Sequence, residues 1–294
     1  MQQPDAMSAR PGSKSVLENR ALLKLVAHVV VWLPTFSMLY DLAFDRLGML
    51  PVQSLVYWTG VWATALLLLT LAITPVRYLL HWNAIVSVRR IVGLAALAYS
   101  VAHVIAYLIM HKWNFAFIVG EIVSRATLIT ATLSMLGLMA LGATSTDSSV
   151  RRLGPSAWRR LHSGNMIYSG LALLHYLLSP GTFSLQFLMS GFFFWLCGWR
   201  VLAKGRSAPR VTALIGLGLI STILAALFEI GWLWGNKRIP PGETIEDMLN
   251  FEDGLPSSWM VLLVTMIVAA IGWYAGQRTH QGASPRQTPP AFEV

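Results

Sequence analysis

The chain has 294 residues, of which 55% are hydrophobic and only 12% are charged. Soluble domains typically carry about 25% charged residues, so this composition excludes an ordinary water-soluble domain and indicates a membrane protein. The net charge of +9 does not indicate nucleic-acid binding, because the basic residues lie in short loops between long apolar runs. A single cysteine excludes a disulfide framework within the chain, and no C-x-x-C-H motif is present for covalent haem attachment.

Eight apolar runs follow a polar N-terminal segment of about 20 residues, which is expected to be unstructured. Each run approaches the ~20 residues that a helix needs to cross a bilayer. Continuous apolar runs of this length form helices in lipid, so we predict an all-α, polytopic membrane helix bundle. The approximate spans are 22–44, 55–74, 90–110, 122–142, 161–178, 183–203, 211–234 and 258–276.

The distribution of Lys and Arg predicts the orientation of these spans. With the N-terminus inside, the inner segments hold 17 of the 22 Lys and Arg residues. The outer loop 235–257 instead carries five acidic residues. Because cytoplasmic loops are enriched in Lys and Arg, both termini are predicted to be cytoplasmic. The outer basic residues are Arg46, Lys112, Arg125, Lys237 and Arg238.

Two histidines lie well inside predicted spans. His103 and His175 are each about 13 residues from the inner end of their spans, which run in the same direction. At ~1.5 Å per residue both imidazoles should reach a similar depth, nearer the outer leaflet. An ionisable group inside a span is costly and is a functional candidate by default. A lone histidine could simply bond a neighbouring Ser or carbonyl, but a pair at matched depth favours a shared haem iron.

The other histidines are more ambiguous. His162 lies 13 residues before His175, which on a straight helix corresponds to about 20 Å and ~140° of rotation. The two cannot share one iron, and His162 is either a ligand of a second haem with an unidentified partner or an interfacial residue. His28, in the first span, is a candidate to bind a cofactor, a quinone or a lipid headgroup. For His81, His111 and His280, a solvated or interfacial role is expected.

Three classes of function fit these features. The first is an electron-transfer subunit that need not hold a catalytic site itself. The second is a ferric or other metal reductase that uses the same haem ligands. The third is a transporter or channel with proton-relaying histidines. The third class would be favoured by an inverted repeat or by a matching pair of Gly/Pro-broken spans, and the sequence contains neither.

Four segments of the sequence resemble the MsrQ/YedZ family of haem-binding membrane subunits, which belongs with the ferric-reductase-like transmembrane domains. The resemblance covers roughly residues 20–200, beyond which family members commonly lack the last two spans found here. The segments are TGVWATALLLLTLAITPVRY (59–78), RRIVGLAALAYSVAHVIAYL (89–108), EIVSRATLIT (121–130) and ATSTDSSVRRLGPSAWRRLHSGNMIYSGLALLHYLLS (143–179).

The resemblance implies a ferric-reductase-like six-helix core plus about two extra C-terminal spans. It places the family's haem histidines on His103, His162 and His175, its early histidine on His28 and its inner-loop arginine on Arg77. It also implies haem b, FMN, a bacterial inner-membrane location and electrons drawn from quinol or a flavin. The implied acceptor is an MsrP-like periplasmic molybdopterin enzyme that reduces methionine sulfoxide.

The expected domain organisation follows from the predicted spans and from the extent of this resemblance. The haem-binding transmembrane domain is expected at 21–204, and the two additional spans with their acidic loop at 205–276. Polar tails are expected at 1–20 and 277–294.

Overall fold

The computed structural model describes residues 11–180, 183–203, 209–252 and 254–281. These residues form eleven α-helices and one short 3-10 helix, Asn83–Val88, with no strand in the described ranges. The prediction of an all-α membrane bundle is therefore confirmed. The helices are α1 (Pro11–Ala43), α2 (Pro51–Leu79), α3 (Arg89–Met110), α4 (Phe115–Ser124), α5 (Ala126–Ala143), α6 (Asp147–Ser163), α7 (Asn165–Leu178), α8 (Phe183–Leu202), α9 (Val211–Lys237), α10 (Pro241–Leu249) and α11 (Ser257–Gln281).

Among the residues that the structure describes, seven segments are long and apolar enough to cross a membrane, so this is a multi-pass membrane protein. Many large apolar side chains on them are exposed, as lipid-facing residues must be. The segments are Asn19–Ala43, Pro51–Leu79, Asn83–Met110, Ala126–Ala143, Ser184–Leu202, Val211–Lys237 and Ser257–Gln277.

Helix α1 begins earlier than the sequence predicts. The polar N-terminal segment was expected to be unstructured to about residue 20, whereas α1 starts at Pro11. Proline is favoured in the first turn of a helix because its missing N–H would have no intrahelical acceptor there. Of the predicted tails, residues 1–10 and 282–294 lie outside the described residues.

Two predicted spans are interrupted. The run 122–142 is broken at Arg125, whose extended backbone (φ −113°, ψ 118°) separates α4 from α5. The run 161–178 is divided at Gly164, so that α7 has only 14 residues. At ~1.5 Å per residue α7 is about 21 Å long, shorter than the ~30 Å hydrocarbon layer.

Helix α7 and the end of α6 nevertheless run antiparallel along the whole of α5. At one end the Thr144 hydroxyl lies 3.1 Å from His162 Nε2, and at the other end Thr127 O lies 3.0 Å from His175 Nδ1. Between them the Ser134 hydroxyl donates to Tyr168 O over 2.9 Å. The segment 162–178 therefore extends along the full length of α5, which is itself long enough to span a bilayer.

The chain divides into two compact units, and α2 and α8 pass from one to the other. The first comprises Met1–Thr74 and Ala84–Phe193, and the second comprises Pro75–Asn83 and Phe194–Val294. In the first unit, Tyr99 fastens α3 to α1. Its hydroxyl accepts from Thr35 Oγ1 over 2.8 Å and donates to Val31 O over 3.1 Å, close to Pro34, which interrupts the hydrogen-bond ladder of α1.

In the second unit, α9 packs along α11, and the acidic helix α10 lies against α9. Close packing depends on Gly218, where a Cβ would come within 2.8 Å of the Thr265 hydroxyl. The Glu229 carboxylate accepts from Ser257 Oγ over 2.6 Å. The Trp259 indole donates to Met248 O over 2.9 Å, which fixes the end of α10 to α11.

Candidate functional site

The structure brings His103 of α3 and His175 of α7 together. Their ring centroids are 6.0 Å apart and their planes are inclined by 75°. Both side chains are half-buried within the first unit. The expected match in depth is therefore reproduced, whereas their role as iron ligands stays a prediction.

The hydrogen bonds of both rings leave the same nitrogen available. His103 Nδ1 lies 2.8 Å from Val56 O, and His175 Nδ1 lies 3.0 Å from Thr127 O. A carbonyl oxygen can only accept, so each Nδ1 must carry the proton. In a neutral imidazole the other nitrogen, Nε2, is then an unprotonated ligand atom. This arrangement is the usual one for metal-binding histidines, in which a carbonyl fixes both the tautomer and the ring orientation.

The spacing of the two rings is compatible with a metal between them. Two metal–nitrogen bonds of about 2.0 Å, plus roughly 1 Å from each nitrogen to its ring centre, require centroids about 6 Å apart. The observed separation of 6.0 Å matches this requirement. The donor set of the pair thus fits a haem iron, which both imidazoles would hold.

A cavity of about 1020 Å³ adjoins the two imidazoles, and a smaller one of about 70 Å³ shares both histidines. The large cavity exceeds the usual size of a small-molecule pocket, so it has room for a macrocycle. Its walls come from α2, α3, α4, α5, α7 and the loop after α1. Most lining residues are apolar, and the polar ones are Gln53, Ser54, Tyr57, Thr64, His103, Tyr107, Arg125, Thr127, Thr132, His175, Tyr176 and Ser179.

Gly60 of α2 makes room for the His103 ring. A Cβ at this position would lie 3.0 Å from His103 Nδ1 and 3.1 Å from its Cε1. Contacts this short would push the ring away from Val56 O, four residues earlier on the same helix. Gly60 on α2 therefore helps to set the orientation of the His103 ring on α3.

His162 lies at the opposite end of α5 from this pair, and it is not among the residues that line either cavity. Its ring stacks on Trp158 with centroids 4.0 Å apart and an angle of 23°. Its Nε2 contacts the Thr144 hydroxyl, and the Trp158 indole donates to Thr144 O over 2.9 Å. Both roles that the sequence left open for His162, a haem ligand and an interfacial residue, stay predictions.

The two remaining predicted cofactor residues also lie outside the cavity lining. His28 is exposed on α1, and its Nδ1 lies 2.8 Å from Lys24 O of the preceding turn. Arg77 belongs to the second unit, where its Nε donates to Asn83 Oδ1 over 2.8 Å and its guanidinium lies over the Tyr78 ring. Within the first unit, the structure thus groups His103 with His175 and leaves His28 and His162 apart from them.

Sequence reasoning missed several parts of the site. The carbonyls of Val56 and Thr127 carry no sequence signal, because every residue has one. Gly60 could have been suspected as a close-packing glycine in a span. Arg125 was interpreted only as a basic residue on the predicted outer side, although a charge within an apolar run is itself a signal.

Comparison with known proteins assigns the family. Residues 59–174 match the family model described as ferric reductase like transmembrane component. Curated relatives include the protein-methionine-sulfoxide reductase heme-binding subunit MsrQ of Xanthomonas axonopodis, 37% identical over 60% of this chain and 82% of the relative. The MsrQ of Caulobacter vibrioides is 34% identical over 62% of this chain and 89% of the relative. The chain belongs to the MsrQ family.

The family match contains His103 and His162 and ends one residue before His175, whereas His28 precedes it. The MsrQ of Azospira oryzae is 29% identical over 63% of this chain and 80% of that protein. More than a third of this MsrQ-family chain is thus not covered by these relatives. No solved structure matches the chain.

Proposed function

We propose that this chain is a haem b electron-transfer subunit of the bacterial inner membrane. The observation that carries the proposal is the pair His103 and His175, whose rings are 6.0 Å apart and whose Nδ1 atoms are both engaged by carbonyls. A haem bound there would supply a one-electron carrier. The protein's own residues hold the iron through Nε2, keep both tautomers fixed and surround the site with apolar walls.

The acceptor in this proposal is a periplasmic, MsrP-like molybdopterin enzyme that reduces methionine sulfoxide in proteins. Support comes from the names of the relatives, which are heme-binding subunits of a protein-methionine-sulfoxide reductase. The proposed donor is quinol or a reduced flavin. FMN, the ligand roles of His28 and Arg77, and a second haem at His162 rest on the family resemblance alone.

The proposed direction of electron flow requires both termini to be cytoplasmic. The excess of Lys and Arg on one side supports this orientation, and so does the passage of α7 along all of α5, which makes an eighth crossing. We expect a reporter fused after Arg206 or at the C-terminus to be cytoplasmic, and one at Glu246 to be periplasmic. A periplasmic C-terminus would mean an odd number of crossings. One predicted span would then not cross the membrane, and every span after it would run in the opposite direction.

Two measurements test the function. A dithionite-reduced-minus-oxidised spectrum with pyridine haemochrome quantitation should show haem b in the purified protein. The reduced α-band should then decay when the partner reductase and a methionine-sulfoxide substrate are both added. His175→Ala should abolish this response, whereas His111→Ala, a histidine outside the cavity lining, should leave it unchanged. A purified protein without haem would refute the proposal.

A ferric or other metal reductase is the alternative function, and the ferric-reductase-like family match favours it. The same assay separates the two. If the α-band persists with the methionine-sulfoxide reductase and its substrate but decays with ferric chelates, the protein is a metal reductase.

A further inference from the structure

The large cavity beside His103 and His175 carries a positive charge on its lining. Within the described part of the chain, Arg125 is the only charged residue that lines this cavity. The rest of the lining is neutral, and no carboxylate contributes to it. An occupant with carboxylate groups would therefore find one complementary side chain.

Arg125 is held in a defined position. It lies at the break between α4 and α5, and its Nε is 2.7 Å from Oε2 of Glu121 one turn earlier. This ion pair uses Nε, so the two terminal nitrogens of the guanidinium fork remain as donors for a second carboxylate. The Arg125 side chain is 64% exposed, whereas that of Glu121 is only 17% exposed. Glu121 thus anchors the arginine from the protein side.

The first turn of α5 adds to the positive potential. Arg125 is its N-cap, and the amides of Ala126 and Thr127 precede the first intrahelical bond, from Leu128 N to Arg125 O. Such amides have no acceptor within the helix and carry the positive end of the helix dipole. Thr127 lines the cavity, so this turn faces the same space as Arg125.

The same turn is bonded to a proposed iron ligand. Thr127 O accepts from His175 Nδ1, and the Cα atoms of Arg125 and Thr127 can be at most ~7 Å apart. The position of the guanidinium relative to His175 is therefore fixed through two residues of backbone. An arginine so placed can reach the edge of a ring that is held between the two imidazoles.

We propose that Arg125, oriented by Glu121, binds a propionate carboxylate of the haem that His103 and His175 hold. The proposal rests on the haem function proposed above. It assigns Arg125 a role in retaining and tuning the cofactor, and it explains why a basic residue interrupts an apolar run on the outer side.

The proposal is tested by comparing how firmly the parent protein and Arg125→Gln each retain haem b and a haem without free carboxylates. Haem is extracted from the purified parent protein and from purified Arg125→Gln. Each is then reconstituted with haem b or with its dimethyl ester, in which both carboxylates are blocked. The rate of transfer to apomyoglobin measures retention. We expect Arg125→Gln to lose haem b about tenfold faster than the parent, as for removal of one partly exposed charge-assisted bond. The ester should be lost at similar rates from both proteins.

A second readout is the midpoint potential of bound haem b. Removing a nearby positive charge stabilises ferric iron, so Arg125→Gln should shift the potential to more negative values. Arg125→Lys should shift it less, because it keeps the charge but loses the fork. Lys112→Gln, which removes an exposed charge outside the cavity lining, is the matched control and should behave as the parent.

The outcomes separate the two proposals. Equal effects of Arg125→Gln on haem b and on the ester would overturn the propionate contact while leaving the haem function intact. An unchanged potential and an unchanged loss rate would do the same. A parent protein that binds neither porphyrin would overturn the haem function itself.

Discussion

The two ends of the antiparallel pair formed by α5 and the segment 162–178 each present a histidine, and the two histidines are engaged differently. At the end that the Lys and Arg distribution predicts to be outer, His175 uses Nδ1 to bond Thr127 O, so Nε2 is available. At the end predicted to be inner, His162 has Nε2 against the Thr144 hydroxyl and one ring face covered by Trp158. The two imidazoles thus differ in the nitrogen that is engaged, which is Nδ1 in His175 and Nε2 in His162.

The largest expected effect comes from removing the outer pair. His103→Ala or His175→Ala should each abolish most of the low-spin b-type absorbance, because the loss of one axial ligand leaves iron with an open position and a weakly held porphyrin. Haem content per protein and the reduced-minus-oxidised spectrum provide the measurement. Membrane insertion should be unaffected, with His111→Ala as the control. Unchanged spectra in both variants would refute a shared iron.

An intermediate effect is expected at Gly60. In Gly60→Ala the new Cβ would lie 3.0 Å from His103 Nδ1. The ring must shift, at a cost of about 1–3 kcal/mol as for other overpacked sites, and its bond to Val56 O weakens. We expect lower haem content and an altered low-spin spectrum. Gly93→Ala is a matched control on α3, since its Cβ would meet nothing closer than 3.9 Å. Equal spectra for the two variants would contradict the role given to Gly60.

A smaller effect is expected at the inner end. His162→Ala should remove at most part of the haem and leave the low-spin signal of the outer pair in place, because His162 does not line the cavity. The haem-to-protein ratio of His162→Ala, beside that of His175→Ala, measures the difference between the two ends. Complete haem loss in His162→Ala would show that the inner histidine is as important as the outer pair.

The sequence predicts the long helices well and their interruptions poorly. Apolar length alone finds both ends of α2, α3, α8, α9 and α11 to within five residues, whereas for α1 it finds only the end. The break at Arg125 is missed because the apolar run continues on both sides of it, and the break at Gly164 because its backbone stays near helical values (φ −62°, ψ −16°).

The candidate site likewise has residues that the sequence predicts and contacts that it does not. His103 and His175 were recognised because an ionisable residue inside a span is costly. Their tautomers depend on the carbonyls of Val56 and Thr127, and only packing brings those carbonyls to the rings. The stacking of His162 on Trp158, four residues earlier, follows helical spacing and could have been anticipated.

The smallest expected effect concerns Asp147, at the start of α6. Arg90 Nη2 lies 2.7 Å from Asp147 Oδ1, and this hydrogen bond and charge hold the pKa of the carboxyl below its ordinary value of 3.8. A depressed pKa means that the ion pair stabilises the folded protein above pH ~4, and that this contribution is lost as the pH falls through the pKa of the folded state. Both side chains are largely exposed, at 50% and 74%, so the contribution is screened.

Asp147→Asn should therefore lower the thermal midpoint in detergent by about 1 °C or less at pH 7. The difference should vanish at the acid limit, and it should also vanish in an Arg90→Gln background. A large shift at pH 7 would instead mean that this ion pair, and not the contacts of His162 and Trp158 with Thr144, holds α6 in place at the inner end.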